Sequence, residues 1–177
     1  MNDTLRYLGD EVIRCVNCGS PNFKVSLYIY RAPYIGNILI EHGICPQCNY
    51  KKTDVSMIDS DQPKTIKAVV KSPNDLNAVV VKSSTATIII PELGVEVFPG
   101  VNAYGYLTTI EGILERVLEV IPQDCKERRE CVEKVELIKN AMNGLIRFTL
   151  IIKDPSGRSA IIGDNLELVV EEGVDTE

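Results

Sequence analysis

The chain has no tryptophan, three phenylalanines and a single histidine in 177 residues. With few large rings, the core must come mainly from Ile, Val and Leu, a composition that favours pleated, half-buried strands. One histidine cannot supply a histidine-clustered catalytic metal site. A Ser-His-Asp triad would have to use His42, which lies within a cysteine-rich segment. No G-x-x-x-x-G-K-[ST] or G-x-G-x-x-G phosphate loop is present. No apolar run approaches the ~20 residues needed to cross a bilayer. The start, "MNDTLRYLGDEVIRC", has neither the basic beginning nor the apolar centre of a signal peptide. The expectation is a soluble cytosolic protein with no membrane association, in which paired cysteines are more often metal ligands or redox thiols than structural disulfides.

Charge is uneven. Met1–Lys82 carries ten Lys/Arg and eight Asp/Glu, whereas Ser83–Glu177 carries nine and seventeen, for a total of −6. An acidic chain is a poor generic phosphate binder, because nucleic-acid affinity comes largely from Lys/Arg displacing counterions. A solvated acidic surface or docking to a basic protein fits better.

The densest chemistry is in "CVNC" (Cys15–Cys18) and "CPQC" (Cys45–Cys48). Each spacing lets two thiolates point from one tight turn, and two such turns facing each other complete a tetrahedral zinc site. The intervening 26 residues suit a β-hairpin that leaves one turn and returns beside the other. Gly19 and Asn49, the residues after each pair, are the types that most readily take the left-handed conformation. A redox CxxC would sit at a helix start within a βαβ pattern, which neither pair does. Cys15, Cys18, Cys45 and Cys48 are therefore read as ligands of one structural zinc in a ribbon. His42 is a minor alternative ligand. Four thiolates leave no open position for water, so no enzyme chemistry is visible.

Organisation follows from patterning. Residues 1–58 form the ribbon, with strands expected at "FKVSLYIY", "NILIEHGI" and "TDVSMI". "DSDQPK" (Asp59–Lys64) reads as a linker. A β-rich domain over 59–166 follows, with "KTIKAVV", "NAVVVKSS", "ATIIIPEL", "VEVFPG", "LIRFTLII" and "SAIIG" as short strands. Inserted at about 108–144 is a helical hairpin. Thr108 and Glu111 are spaced as a capping box before the stripe Ile110, Ile113, Leu114, Val117, Leu118 and Ile121. A second helix is expected over Asp124–Asn143. Six residues apart on that helix, Cys125 and Cys131 would share neither a face nor a metal, with Cys131 in the core and Cys125 an exposed thiol. "KDPSGR" reads as a hairpin turn between the last two strands. Residues 167–177 read as an acidic, partly disordered tail. Lys51, Lys52, Lys64, Lys67 and Lys71 form a loose basic stretch, which supports the alternative of a nucleic-acid-binding ribbon in transcription or ribosome function.

The order of "CVNCG", "APYIGNILIEHGICPQCNYKKTDV", "NDLNAVVVKSSTATIIIPELGVEV", "YLTTIEGIL" and "FTLIIKDPSGRSAII" resembles the ZPR-type zinc-finger family over Arg14–Ile162. The resemblance is to its single-unit archaeal branch; eukaryotic members carry two units in tandem. It implies a four-cysteine ribbon followed by a double-stranded β-helix (jelly-roll-like) domain with an inserted helical hairpin. It also implies a non-enzymatic chaperone role, with binding to the GTPase translation elongation factor one alpha. The chain departs from the family pattern at Asn49, commonly glycine, and at Ala78, usually arginine after "DLN". Lys153 and Arg158 also stand where Asp and Asn are more typical.

Overall fold

The computed structural model describes residues 5–33, 36–58 and 62–173. Its first sheet is an antiparallel meander of β1 (Leu5–Ile13), β2 (Phe23–Ala32), β3 (Gly36–Ile44) and β4 (Lys51–Met57), in that spatial order. In such a meander the β1–β2 and β3–β4 connections, which carry the two cysteine pairs, leave the same end of the sheet. β2 alternates as expected, with Phe23 and Val25 buried and Leu27 half-buried. β1 is a strand the sequence pattern did not announce. A register shift between Tyr7 and Gly9 breaks its alternation, and nearly all of it is exposed.

Among the described residues, eight further strands build the second body. They are β5 (Lys64–Val70), β6 (Val79–Lys82), β7 (Thr87–Ile90), β8 (Val95–Val97), β9 (Tyr106–Thr109), β10 (Phe148–Asp154), β11 (Ala160–Ile162) and β12 (Glu167–Glu172). They form two antiparallel sheets, ordered β12-β5-β10-β7-β8 and β11-β6-β9. Two helices, α1 (Ile110–Glu119) and α2 (Arg129–Met142), are inserted between β9 and β10. One core joins all these layers: Ile88 and Ile152 come from the larger sheet, Val80 and Ile161 from the smaller, and Ile113 and Ile138 from the helices. This is the expected double-stranded β-helix with a helical hairpin. The hairpin's first stripe is as read from Ile110 to Leu118, with Ile110, Ile113 and Leu114 buried and Val117 and Leu118 packed against the core, but Ile121 lies past the end of α1 and outside that core.

β6 is covered on both faces. Val80 points into that core, while Val81 joins a separate cluster with Ala32, Ile38 and Met57 of the first sheet. A strand buried on both faces needs a continuous apolar run, hence "VVVK" instead of an alternating pattern. The ribbon thus docks by the end opposite its cysteines. Met57 N donates to Arg158 O at 2.9 Å and Gly105 N to Asp54 Oδ1 at 2.5 Å. A Cβ on Gly105 would lie 1.9 Å from the Val55 carbonyl oxygen, so only glycine permits this approach.

Several expectations are corrected. The cap of α1 is Thr109, whose Oγ1 accepts from Gly112 N at 3.1 Å; Thr108 is still in β9, paired with Val80. The second helix does not begin at Asp124. A 3-10 turn, Gln123–Glu127, precedes α2, and the break brings Cys125 and Cys131 within 5.3 Å at Cα as a disulfide. Cys125 is buried, not exposed. The acidic segment read as a tail forms a strand through Glu172, because β12 pairs with β5 over six residues and its acids meet lysines there. Lys67 Nζ lies 2.8 Å from Glu171 Oε2, and Lys71 pairs with Glu167. Within the proposed linker, residues 59–61 lie outside the described residues, and Lys64 already belongs to β5.

"KDPSGR" is not a hairpin turn either. β10 lies between β5 and β7, whereas β11 pairs with β6, so the segment is a corner between sheets. Asp154 anchors it, fully buried, with Oδ1 accepting from Ser83 Oγ (2.9 Å), Thr85 Oγ1 (3.0 Å), Ser156 N (2.9 Å) and Ser156 Oγ (2.8 Å). Burial opposes its charge, but the hydroxyls of Ser159, Ser156 and Ser83 more than offset this, and its pKa falls below the ordinary carboxylate value.

The disulfide and the Asp154 corner can each be tested. Without reductant, the denatured, metal-stripped chain should present four alkylatable cysteines by intact mass, with Cys125 and Cys131 protected. Reduction should cost about 2 kcal/mol in denaturant unfolding, the entropy of so short a loop. Asp154→Ala should cost roughly 3 kcal/mol by leaving buried hydroxyls unpaired. Because the folded pKa is depressed, the carboxylate's stabilisation is full above about pH 4, the unfolded value, and is lost as pH falls through the folded one. A pH series of unfolding curves should therefore show a smaller acid-side loss in the variant than in the wild type.

Candidate metal centre

Both cysteine pairs form the same local structure. In the first, Cys15 N donates to Ser20 O (2.7 Å) and Gly19 N to Cys15 O (2.9 Å). In the second, Cys45 N donates to Tyr50 O (2.9 Å) and Asn49 N to Cys45 O (2.9 Å). Each turn closes through a residue with positive φ, +72° at Gly19 and +56° at Asn49. Asn49 therefore takes the left-handed conformation without being glycine, as asparagine can.

These turns bring four sulfurs together. Every pair among Cys15, Cys18, Cys45 and Cys48 lies within 4.8 Å, with Cys15 Sγ to Cys48 Sγ at 3.8 Å and Cys18 Sγ to Cys45 Sγ at 3.6 Å. A tetrahedron with metal–sulfur bonds of about 2.3 Å has edges of about 3.8 Å. The donor set and spacing therefore fit a thiolate-loving tetrahedral ion such as zinc. Four sulfurs would complete its coordination and leave no position for a reacting water.

Around the sulfurs, chain-specific supports appear that the spacing alone did not reveal. Cys15 and Cys45 are buried against Phe23 and Val25, with Tyr50 alongside. The Phe23 ring occupies the space above Gly43, where a Cβ would sit 2.2 Å from its Cζ. Asn17 Nδ2 donates to Cys48 Sγ at 3.5 Å and Arg14 Nη1 to Gly19 O at 3.3 Å. The Asn17 amide and the Tyr50 N–H hold the Cys48 thiol down to about 6. At Cys18 the Ser20 N–H pulls the other way, but desolvation and the neighbouring thiols push it up to about 12. Four sulfurs this close cannot all ionise without a cation between them.

The remaining candidates fall outside this cluster. His42 lies on β3, its Nδ1 2.9 Å from Thr53 Oγ1 of the neighbouring strand, and is not among the clustered donors. Cys125 and Cys131 are in the disulfide of the helical hairpin. Of the basic stretch, Lys67 and Lys71 are engaged by β12. "DLN" forms a 3-10 turn, Pro73–Asn77, in which Asp75 Oδ2 accepts from Lys71 N (2.8 Å) and Ser72 N (2.9 Å). Ala78 follows it and lines a groove of about 750 Å³ with Asn74, Asn77, Asp164 and Asn165. Among the described residues, no helix is long and apolar enough to cross a membrane.

With this geometry in hand, the chain can be set beside known proteins. The family model of the ZPR1 jelly-roll domain matches residues 74–169, which run from before β6 into β12 and include the helical hairpin. A ZPR1-like protein of Methanocaldococcus jannaschii is 38% identical over 160 residues, covering 86% of this chain and 81% of that one. A second, from Pyrococcus horikoshii, is 34% identical over 170 residues, or 90% and 74% of the two chains. The zinc finger chaperone zpr1 of Schizosaccharomyces pombe is 32% identical over 157 residues, which span 83% of this chain and 33% of that protein. The ribbon geometry, the β-helix and these similarities agree: the chain belongs to the ZPR1 zinc-finger family.

Proposed function

We propose that this chain holds one structural zinc ion at Cys15, Cys18, Cys45 and Cys48 and acts without catalysis of its own. In this reading it is a cytoplasmic protein that binds the translation elongation factor one alpha GTPase and assists its folding or maturation. The observation that carries the metal assignment is the set of sulfur separations, which match the edge of a closed tetrahedral zinc–thiolate site. A closed site shapes a surface and does not run a reaction, so the role falls to binding. Support for the chaperone role comes from family membership and from the S. pombe relative, named a zinc finger chaperone. The elongation factor follows from the family resemblance of the motifs. The nucleic-acid alternative loses much of its footing, because Lys67 and Lys71 are neutralised by Glu171 and Glu167.

Elemental analysis of the purified protein should give one zinc per chain. Chelation should loosen the cysteine end of the ribbon by hydrogen exchange while the β-helix core stays protected, since the apolar cluster behind the cysteines is separate from that core. Zinc affinity should fall as pH falls, because protons compete for the thiolates. Cys45→Ser should remove the ion, whereas His42→Ala should retain it. For the partner, zinc-loaded chain and purified elongation factor one alpha from the same cells should form a complex by calorimetry or gel filtration. Absence of a complex with the factor, whether nucleotide-free, GDP-bound or GTP-bound, would overturn the partner assignment and leave the metal assignment standing.

A further inference from the structure

Strand β1 is the open edge of the ribbon sheet. Only β2 pairs with it among the described residues, and Leu5, Tyr7, Leu8, Val12 and Ile13 are between 43% and 63% exposed. A long apolar edge with unpaired backbone groups is a template for another strand. Its charges indicate which strand.

The register with β2 sorts the β1 side chains between the two faces. Leu5, Tyr7, Asp10 and Val12 stand opposite Tyr30, Tyr28, Ser26 and Lys24, while Arg6, Glu11 and Ile13 stand opposite Ile29, Val25 and Phe23. The register shift between Tyr7 and Gly9 inserts one residue, Leu8. That insertion puts Arg6 and Glu11, five positions apart, on the same face. Asp10 is satisfied within the chain, accepting from Ser26 Oγ at 2.7 Å and pairing with Lys24 Nζ at 2.7 Å. Arg6 and Glu11 have no ion-pair partner among the described residues.

We propose that β1 pairs antiparallel with β1 of a second copy of this chain, about a twofold axis between Leu8 and Gly9, joining two ribbon sheets into one. In this register Arg6 of one copy faces Glu11 of the other, and symmetry repeats the pair. Leu5 then faces Val12, and Tyr7 faces Asp10. Slipping by one residue sets side chains from opposite faces against each other. Slipping by two sets Leu5 against Asp10 in one direction and Arg6 against Ile13 in the other. Only the proposed register is self-complementary in charge, as an isologous interface requires.

Sedimentation or light scattering on the full, zinc-loaded chain over a concentration series tests this. The expected mass is twice the 19.6 kDa of the chain. Arg6→Glu and Glu11→Arg should each weaken dimerisation about tenfold or more, because like charges then oppose each other twice. Mixing the two variants should restore association as a heterodimer, since both cross-strand pairs are again opposite in sign. The double variant should also self-associate. Both positions are exposed, and unchanged zinc content and circular dichroism verify that each variant is folded. A wild type that stays monomeric throughout would overturn the proposal and leave the edge to a foreign strand. Single variants that dimerise as tightly as wild type, or a mixture that stays monomeric, would overturn it equally.

Discussion

The ribbon sheet cannot hold itself together by burial, and the rest of the molecule is arranged around that fact. Its buried apolar residues lie in two small clusters at opposite ends: Phe23 and Val25 behind the cysteines, and Ala32, Ile38 and Met57 against the β-helix. Between them β1 is almost wholly exposed. A sheet with so little core is marginal unless its ends are tied. Four converging sulfurs tie one end, and the smaller sheet of the β-helix ties the other. From Ile44 to Ile38 along β3 the ends are about 20 Å apart at strand rise, so each tie acts on its own part of the sheet.

The β-helix meets the ribbon with the layer that lies between its own core and the ribbon. Val80 and Val81 of β6 point to opposite sides, one into the large core and one into the junction. The corner at Asp154 bears on the same region: its carboxylate gathers Ser83, Thr85 and Ser156, and Arg158 just beyond it accepts the Met57 backbone bond. Lys82, only 4% exposed, donates to Ser83 O at 2.9 Å, and burial pushes its pKa down. The corner therefore works as a structural joint, with Asp154 Oδ1 and the Arg158 carbonyl helping to hold two sheets and the ribbon in place.

The sequence was legible wherever one local rule acted alone. The CxxC turns carried their own geometry down to Gly19 and Asn49, and the apolar stripe of α1 fell where its 3.6-residue period put it. Alternation also marked β2 as a half-buried strand. β1 was not legible, because a strand with both faces in water has no burial pattern to impose and the residue inserted at Leu8 breaks the period. β12 looked like a solvated tail, since the lysines that neutralise its glutamates lie about a hundred residues earlier in the chain. Cys125 and Cys131 looked unrelated because an unbroken helix was assumed where a 3-10 turn intervenes.

The sequence by itself determined the cysteine turns, the apolar stripes and the β-rich class, because each depends on residues a few positions apart. Only the tertiary structure decided which ends of the strands meet. It split β10 and β11 between different sheets. It also paired the acids of β12 with the lysines of β5 and left β1 at an open edge. Those outcomes depend on strand order and register, which arise from contacts between distant segments that no local pattern encodes.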